Sequence, residues 1–258
     1  MNVATLHRGT APLLISLPHD GTALPDWLAS RLTDSARTTP DTDWFVSRLY
    51  EFAGKLGGSV LVPAYSRYLV DLNRSPDDLS LYPGQNSTGL CPTVQFNGEP
   101  VYLPGQEASA DEIAGRVEAY WRPYHDMLAD ELSRLRAAHG RVLLWEGHSI
   151  RSRLPFLFEG QLPDMNLGTA AGSSCRSDTQ EQIERVLSGQ SQYSWVSNGR
   201  FKGGYITRHY GRPADGIEAV QLELAQCTYM DEQSASYDAG KAELLQVLLE
   251  ALLRSALG

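Results

Sequence analysis

The chain has 258 residues, 42% of them hydrophobic and 21% charged, with a formal net charge of -9 and a pI near 5.1. Such a length buries a substantial core, and the acidic balance argues against non-specific binding to nucleic acid or anionic lipid, both of which need a basic surface. Three scattered cysteines, Cys91, Cys175 and Cys227, form no CxxC pair, which argues against a disulfide framework or a cysteine zinc site and fits reduced thiols.

From the N-terminus onward, the first residues lack the apolar stretch of a signal peptide, and no window reaches the roughly 18 apolar residues of a membrane helix. A soluble, cytoplasmic protein is the expectation; oligomeric state is not readable. The first strand is expected at residues 13–17. A helix follows at 26–32, and a stronger one at 42–56, where Trp44, Phe45, Leu49, Phe52 and Leu56 recur at helical spacing. Residues 59–62 and 68–72 are β-branched or aromatic runs bounded by Gly, Pro and Asn, and both predict strands. Residues 75–105 are rich in Pro, Gly, Asn, Asp and Ser and form a long loop of the kind that is usually functional. A capping box, Ser109-Ala-Asp-Glu112, opens a long helix that Gly140 stops and Pro123 should kink. A strand at 142–145, an irregular stretch at 151–177, a helix at 180–187, a strand at 219–224 and a final helix at 239–257 complete the chain. Alternating strands and helices predict an α/β fold with a mostly parallel sheet covered on both faces. The absence of repeats, low-complexity tracts and linkers favours one domain over residues 1–258.

Two apolar runs end in histidines, Pro12-Leu-Leu-Ile-Ser-Leu-Pro-His-Asp-Gly21 and Val142-Leu-Leu-Trp-Glu-Gly-His-Ser149. Ligands of open α/β sheets collect where strands stop, so His19 and His148 are candidate zinc ligands if a carboxylate joins them. Asp43 is the preferred third ligand, because Asp41 reads as a helix N-cap; Asp20 and Glu146 remain alternatives. No compact HExxH motif is present. Glu223 lies inside the apolar run Ala219-Val-Gln-Leu-Glu-Leu-Ala225, where a carboxylate is costly unless paired or functional, so it is the candidate general base and then general acid. The bland alternative places Gln221 and Glu223 together on a solvated strand face. Asn73 and Arg74 follow the run 68–72 and Arg67 precedes it; a guanidinium here suits a substrate carboxylate, against the alternative of a surface pair with Asp71 or Asp77. Asn198-Gly-Arg-Phe-Lys-Gly-Gly204 adds a flexible basic segment around Arg200 suited to a lid or binding loop. His125 reads as a packing residue of the long helix.

Six segments together resemble the N-formylglutamate amidohydrolase (N-formylglutamate deformylase) family: Ser16-Leu-Pro-His-Asp-Gly21, Asp41-Thr-Asp-Trp44, Tyr68-Leu-Val-Asp-Leu-Asn-Arg74, Glu146-Gly-His-Ser149, Leu162-Pro-Asp-Met-Asn-Leu-Gly-Thr169 and Val220-Gln-Leu-Glu-Leu224. Their order and number carry the likeness, which covers nearly the whole chain. It implies a zinc-carboxypeptidase-like (phosphorylase/hydrolase-like) mixed sheet flanked by helices, with one zinc, or another divalent metal, at the strand ends. It implies hydrolysis of N-formyl-L-glutamate, a small anionic substrate, to formate and L-glutamate in histidine degradation. His19 and His148 are then similar to the zinc histidines, Glu223 to the general base, and Asn73–Arg74 to the pair that binds a substrate carboxylate. Arg67 is expected to help stabilise the oxyanion, and Arg67 or Arg200 to meet the second carboxylate. Carboxypeptidases place a ligand Glu three residues after the first His; that position is Thr22 here, so the third ligand comes from elsewhere, with Asp43 inferred. Competing readings are a zinc hydrolase of another N-acyl amino acid or a peptide, a non-catalytic binding protein on the same scaffold, and a two-histidine, one-carboxylate iron oxygenase.

Overall fold

The computed structural model describes residues 2–79 and 88–258. Seven strands among these residues form one sheet: β1 (Ala4–His7), β2 (Leu13–Ser16), β3 (Ser59–Pro63), β4 (Val142–Ile150), β5 (Met165–Gly168), β6 (Trp195–Ser197) and β7 (Ile217–Ala225), in the order β1-β3-β2-β4-β7-β5-β6. The central strands β3, β2, β4 and β7 are parallel; β1 is antiparallel to β3, β5 is antiparallel to β7, and β6 is parallel to β5. The sheet is therefore mostly parallel, as the alternation of elements predicts, and mixed, as the family resemblance implies.

Strand periodicity sorts the core into two layers. Leu14, Val142, Leu144, Ile217 and Ala219 face Tyr124, Leu128, Leu132 and Leu135 of the long helix Arg122–His139. Leu13, Ile15, Leu143, Trp145, Leu222 and Leu224 face the helices Ser177–Ser188 and Ala239–Leu257 through Ile183, Leu187, Leu245, Leu249 and Leu252. Among the described residues no helix is long and apolar enough to cross a membrane.

Several expectations need correction. The helix expected at 42–56 is one α-turn, Val46–Leu49, followed by a 3-10 helix, Glu51–Leu56. Phe45 sits in the left-handed region at φ 63°, which breaks any helix running through it. Asp41 is accordingly no N-cap; its Oδ2 accepts hydrogen bonds from the Tyr68 hydroxyl at 2.7 Å and the Phe96 amide at 2.9 Å. The helix expected at 26–32 is a single turn, Asp26–Ala29. Residues 68–72 belong to no strand; they form buried turns whose apolar side chains, such as Tyr68 and Leu69, enter the core. The strand expected to stop at 145 continues to Ile150, so His148 lies within β4 rather than at its end. β5 lies inside a stretch expected to be irregular, and β6 and the short helix Tyr205–Tyr210 were unforeseen.

The capping box at Ser109–Glu112 is formed, and Gly140 stops the long helix in the left-handed conformation at φ 76°. Between Ala110–Arg116 and Arg122–His139 the helix widens into a π turn, Val117–Trp121, which ends two residues before Pro123. Pro123 has no N–H to offer the carbonyl four residues back, and the turn before it takes up that mismatch. Of the long loop at 75–105, residues 80–87 lie outside the described residues; the remainder carries the bridges Val94–Pro100 and Leu32–Tyr102 and sends Thr88 and Phe96 to the pocket described next.

Candidate active site

The strand faces that pack on the long helix turn polar as they approach the carboxyl end of the sheet. On β4, Val142 and Leu144 are followed at period two by Glu146 and His148; on β7, Ile217 and Ala219 are followed by Gln221 and Glu223. The parallel register sets Glu146 beside Gln221 and His148 beside Glu223. All four side chains are buried, so the solvated-face reading of Gln221 and Glu223 does not hold.

A pocket of about 730 Å³, its open mouth included, lies over this end of the sheet. His19, Asp43, Arg67, Asn73, Arg74, His148, Arg200 and Glu223 all line it. His19 arrives on the turn after β2, Asp43 just before the turn Val46–Leu49, and Arg67, Asn73 and Arg74 on the turns after β3. Ligand atoms of His19, Asp43 and His148 lie within 4.8 Å of one another, and all three residues are buried. The imidazole centroids are 4.9 Å apart.

The hydrogen bonds orient both rings alike. His19 Nε2 donates to Asp71 Oδ1 at 2.7 Å, and His148 Nε2 donates to Glu146 Oε1 at 2.6 Å. The Nδ1 atoms then face Asp43 Oδ2, at 3.7 Å from His19 and 3.0 Å from His148. A carboxylate behind each imidazole fixes the tautomer and makes the opposite nitrogen a better ligand. Asp43 Oδ2 also accepts the Ser149 amide at 3.1 Å, which holds the carboxylate in place. Of the alternative carboxylates, Asp20 accepts the Ser47 amide at 3.0 Å, and Glu146 stands behind His148; neither belongs to the three-residue group.

Arg67 reaches Asp71 Oδ2 at 2.6 Å, lies 3.3 Å from His19 Nδ1, and stacks over Phe96 at 4.7 Å. Arg74 donates to the carbonyls of Thr88 at 2.9 Å and Asn73 at 3.2 Å; among the described residues it forms no ion pair with Asp71 or Asp77. Arg200 lies against the rings of Phe158 and Phe201 at the mouth. The helix Tyr205–Tyr210 begins on the site: Gln221 Oε1 accepts the Gly204 amide at 2.7 Å, Asn73 Oδ1 the Ile206 amide at 2.9 Å, and Glu146 Oε2 the Thr207 amide at 3.0 Å and the Thr207 hydroxyl. These acceptors satisfy the amides a helix start leaves unpaired.

Electrostatics follow from burial of many carboxylates around few cations. Burial above all, with Asp43 and Glu146 and against His148 and Arg67, leaves Glu223 pushed up to about 8. Burial and Arg67 lower His19. Burial would raise Asp71, yet Arg67, His19 and Arg74 hold it well below the usual carboxylate range. Burial would lower His148, but Glu146 and Asp43 carry it well above the ordinary value. Five buried carboxylates thus share the buried Arg67 and His148: Asp41, Asp43 and Asp71 act on Arg67, Asp43 and Glu146 on His148, and Glu223 lies beside His148. That surplus of negative charge in a low-dielectric site, with two oriented imidazole nitrogens, fits a divalent cation. Sequence reasoning misses Thr207, and it names Asp71 only as a surface partner and Gln221 only on a solvated face; a lone Asp in the apolar run before Asn73 is the one available signal.

Fold and site together define an α/β protein with a buried histidine–carboxylate cluster at the carboxyl end of a mostly parallel sheet. A family model for N-formylglutamate amidohydrolase matches residues 11–230. The N-formylglutamate deformylase of Pseudomonas aeruginosa is 51% identical over 256 residues, covering 99% of this chain and 96% of that protein. That of Pseudomonas putida is 50% identical at the same coverage. The crystal structure of an N-formylglutamate amidohydrolase from Ralstonia eutropha JMP134 superposes with a TM-score of 0.84 at 26% identity, covering 99% of this chain and 97% of the other. A gene product of Agrobacterium tumefaciens, with a TM-score of 0.69 at 18% identity and coverage of 99% and 96%, shares the fold. The chain belongs to the N-formylglutamate amidohydrolase family.

Proposed function

We propose that this protein hydrolyses N-formyl-L-glutamate to formate and L-glutamate, with a divalent cation, zinc in our reading, held by His19, Asp43 and His148. The observation that carries the metal reading is the clustering of these three buried side chains within 4.8 Å, with each imidazole backed by a carboxylate at Nε2. When bound there, the cation supplies Lewis-acid polarisation of the formyl oxygen, a more acidic water, and positive charge that favours the ionised form of Glu223.

The chain's own groups do the rest. The Glu223 carboxylate accepts a proton from water as the water oxygen bonds to the formyl carbon. The Arg67 guanidinium donates to the oxygen on which negative charge develops. The C–N bond then breaks, and Glu223 returns its proton to the amine nitrogen that leaves as L-glutamate. Arg74 and Asn73 take one substrate carboxylate and Arg200 the other, since paired N–H groups match a carboxylate's two oxygens.

Formate release from a panel of N-formyl and longer N-acyl amino acids tests the substrate assignment. The expected result is efficient turnover of N-formyl-L-glutamate and a loss of roughly tenfold or more in kcat/KM when either carboxylate is absent, as each charge-assisted pair is worth at least ~1.5 kcal/mol. A panel indifferent to those carboxylates contradicts it.

A further inference from the structure

Residues 67–74 carry Arg67, Asp71, Asn73 and Arg74, yet pair with no strand of the sheet. Besides the bonds of the Asp71 amide to the Leu90 carbonyl at 2.7 Å and of the Tyr205 amide to the Asn73 carbonyl at 3.4 Å, three of their carbonyls accept from side chains of one continuous helical segment. Arg116 Nη1 donates to the Leu69 carbonyl at 3.1 Å, His125 Nε2 to the Leu72 carbonyl at 2.9 Å, and Trp121 Nε1 to the Arg74 carbonyl at 3.0 Å. The two latter carbonyls flank Asn73. Because His125 Nε2 must carry the hydrogen, Nδ1 is the acceptor, and the Tyr210 hydroxyl donates to it at 3.0 Å. The ring is stacked on Trp121 at 3.7 Å and lies parallel to Tyr210 at 5.9 Å, so its orientation is held from both sides.

The π turn explains how one helix presents these donors together. In an uninterrupted α-helix the five-residue step from Arg116 to Trp121 rotates the side chain by roughly 140°. A π turn absorbs an extra residue, and Val117–Trp121 is that turn, so Trp121 returns toward the face that Arg116 occupies. The following step, from Trp121 to His125, is four residues and stays on that face.

We infer that Trp121 and His125 are positioning residues for substrate-carboxylate binding: they clamp the carbonyls on either side of Asn73, and the π turn is the device that brings Trp121 into register with its target. The inference rests on the reading of Asn73 and Arg74 as carboxylate-binding groups. Neither clamp residue lines the pocket. Their effect therefore passes through the loop, and it belongs in substrate affinity rather than in the chemical step.

The test uses Trp121→Phe and His125→Phe, which keep an aromatic ring but remove the N–H, and His125→Gln, which retains a donor. With N-formyl-L-glutamate we expect both Phe variants to raise KM by about tenfold, with kcat within about twofold, and His125→Gln to recover most of the loss. Metal content is expected to stay at the wild-type value. Of two N-formyl analogues, one lacking the α-carboxylate and one the side-chain carboxylate, one should show no penalty in the variants, since the group that the loop holds is gone. A fall in kcat at unchanged KM, or an equal penalty on both analogues, overturns the inference. Backbone hydrogen exchange needs no substrate: amides of residues 69–74 should exchange faster in both Phe variants while the sheet keeps its protection. Unchanged exchange, or loosening spread over the whole molecule, also overturns it. If the wild-type protein does not hydrolyse N-formyl-L-glutamate, the functional reading falls, and the exchange result alone decides the clamp.

Discussion

Glu223 illustrates how burial and chemistry meet at one residue. It occupies a strand position beside His148, inside the core layer, and burial makes its charged form costly. Replacement by Gln keeps the shape and removes the proton acceptor. Glu223→Gln is expected to retain metal and fold but lose roughly 10²-fold or more in kcat, measured by formate release alongside elemental analysis. An unchanged rate removes Glu223 from the proton transfers. The residue types that point to chemistry, two histidines and a glutamate in apolar runs, are visible in the sequence. Their supports are less so: Asp71 and Glu146 hold the imidazoles through contacts spanning 52 residues and two residues respectively, and only the second is a local pattern. Asp41 looks like a helix cap in sequence because it precedes apolar residues at helical spacing, but Phe45 in the left-handed conformation ends that possibility.

At the scale of elements, period-two alternation places Glu146, His148, Gln221 and Glu223 on one sheet face, which is why β2, β4 and β7 were largely legible as apolar runs. The turns at 68–72 mislead for a physical reason: their side chains are as buried as a strand's, while their carbonyls bond to helix side chains that no local pattern reveals. β5 escapes notice because it is only four residues long and lies in Gly- and Pro-rich surroundings. The start of the helix Tyr205–Tyr210 depends on Gly204, where an added Cβ would lie 2.3 Å from Asn73 Nδ2. Gly204→Ala should therefore displace Asn73, and we expect a rise in KM for N-formyl-L-glutamate of about tenfold, with a loss of ~1–3 kcal/mol in stability by denaturant titration. Wild-type KM in this variant would show that Asn73 does not need its present place.

The whole molecule carries buried ionisable groups whose protonation differs between folded and unfolded chains. His125 is the clearest case outside the metal cluster: burial lowers it from 6.5 to about 3. Below 6.5 the unfolded chain binds a proton that the folded one refuses, so stability falls as pH drops from there toward 3, by up to ~1.4 kcal/mol per pH unit from this group. His125→Gln should flatten the acid limb of a stability-versus-pH curve by about one proton's worth of slope, read by denaturant unfolding between pH 4 and 7. An unchanged slope would mean that His125 is protonated in the folded protein.

The central claim is that His19, Asp43 and His148 hold a divalent cation on which hydrolysis depends. Metal analysis of the purified protein, paired with formate release before chelation, after chelation and after zinc is returned, tests it most directly. The account predicts close to one divalent ion per chain, loss of activity in step with its removal, and recovery on reconstitution. Full activity in protein shown to be metal-free would contradict it.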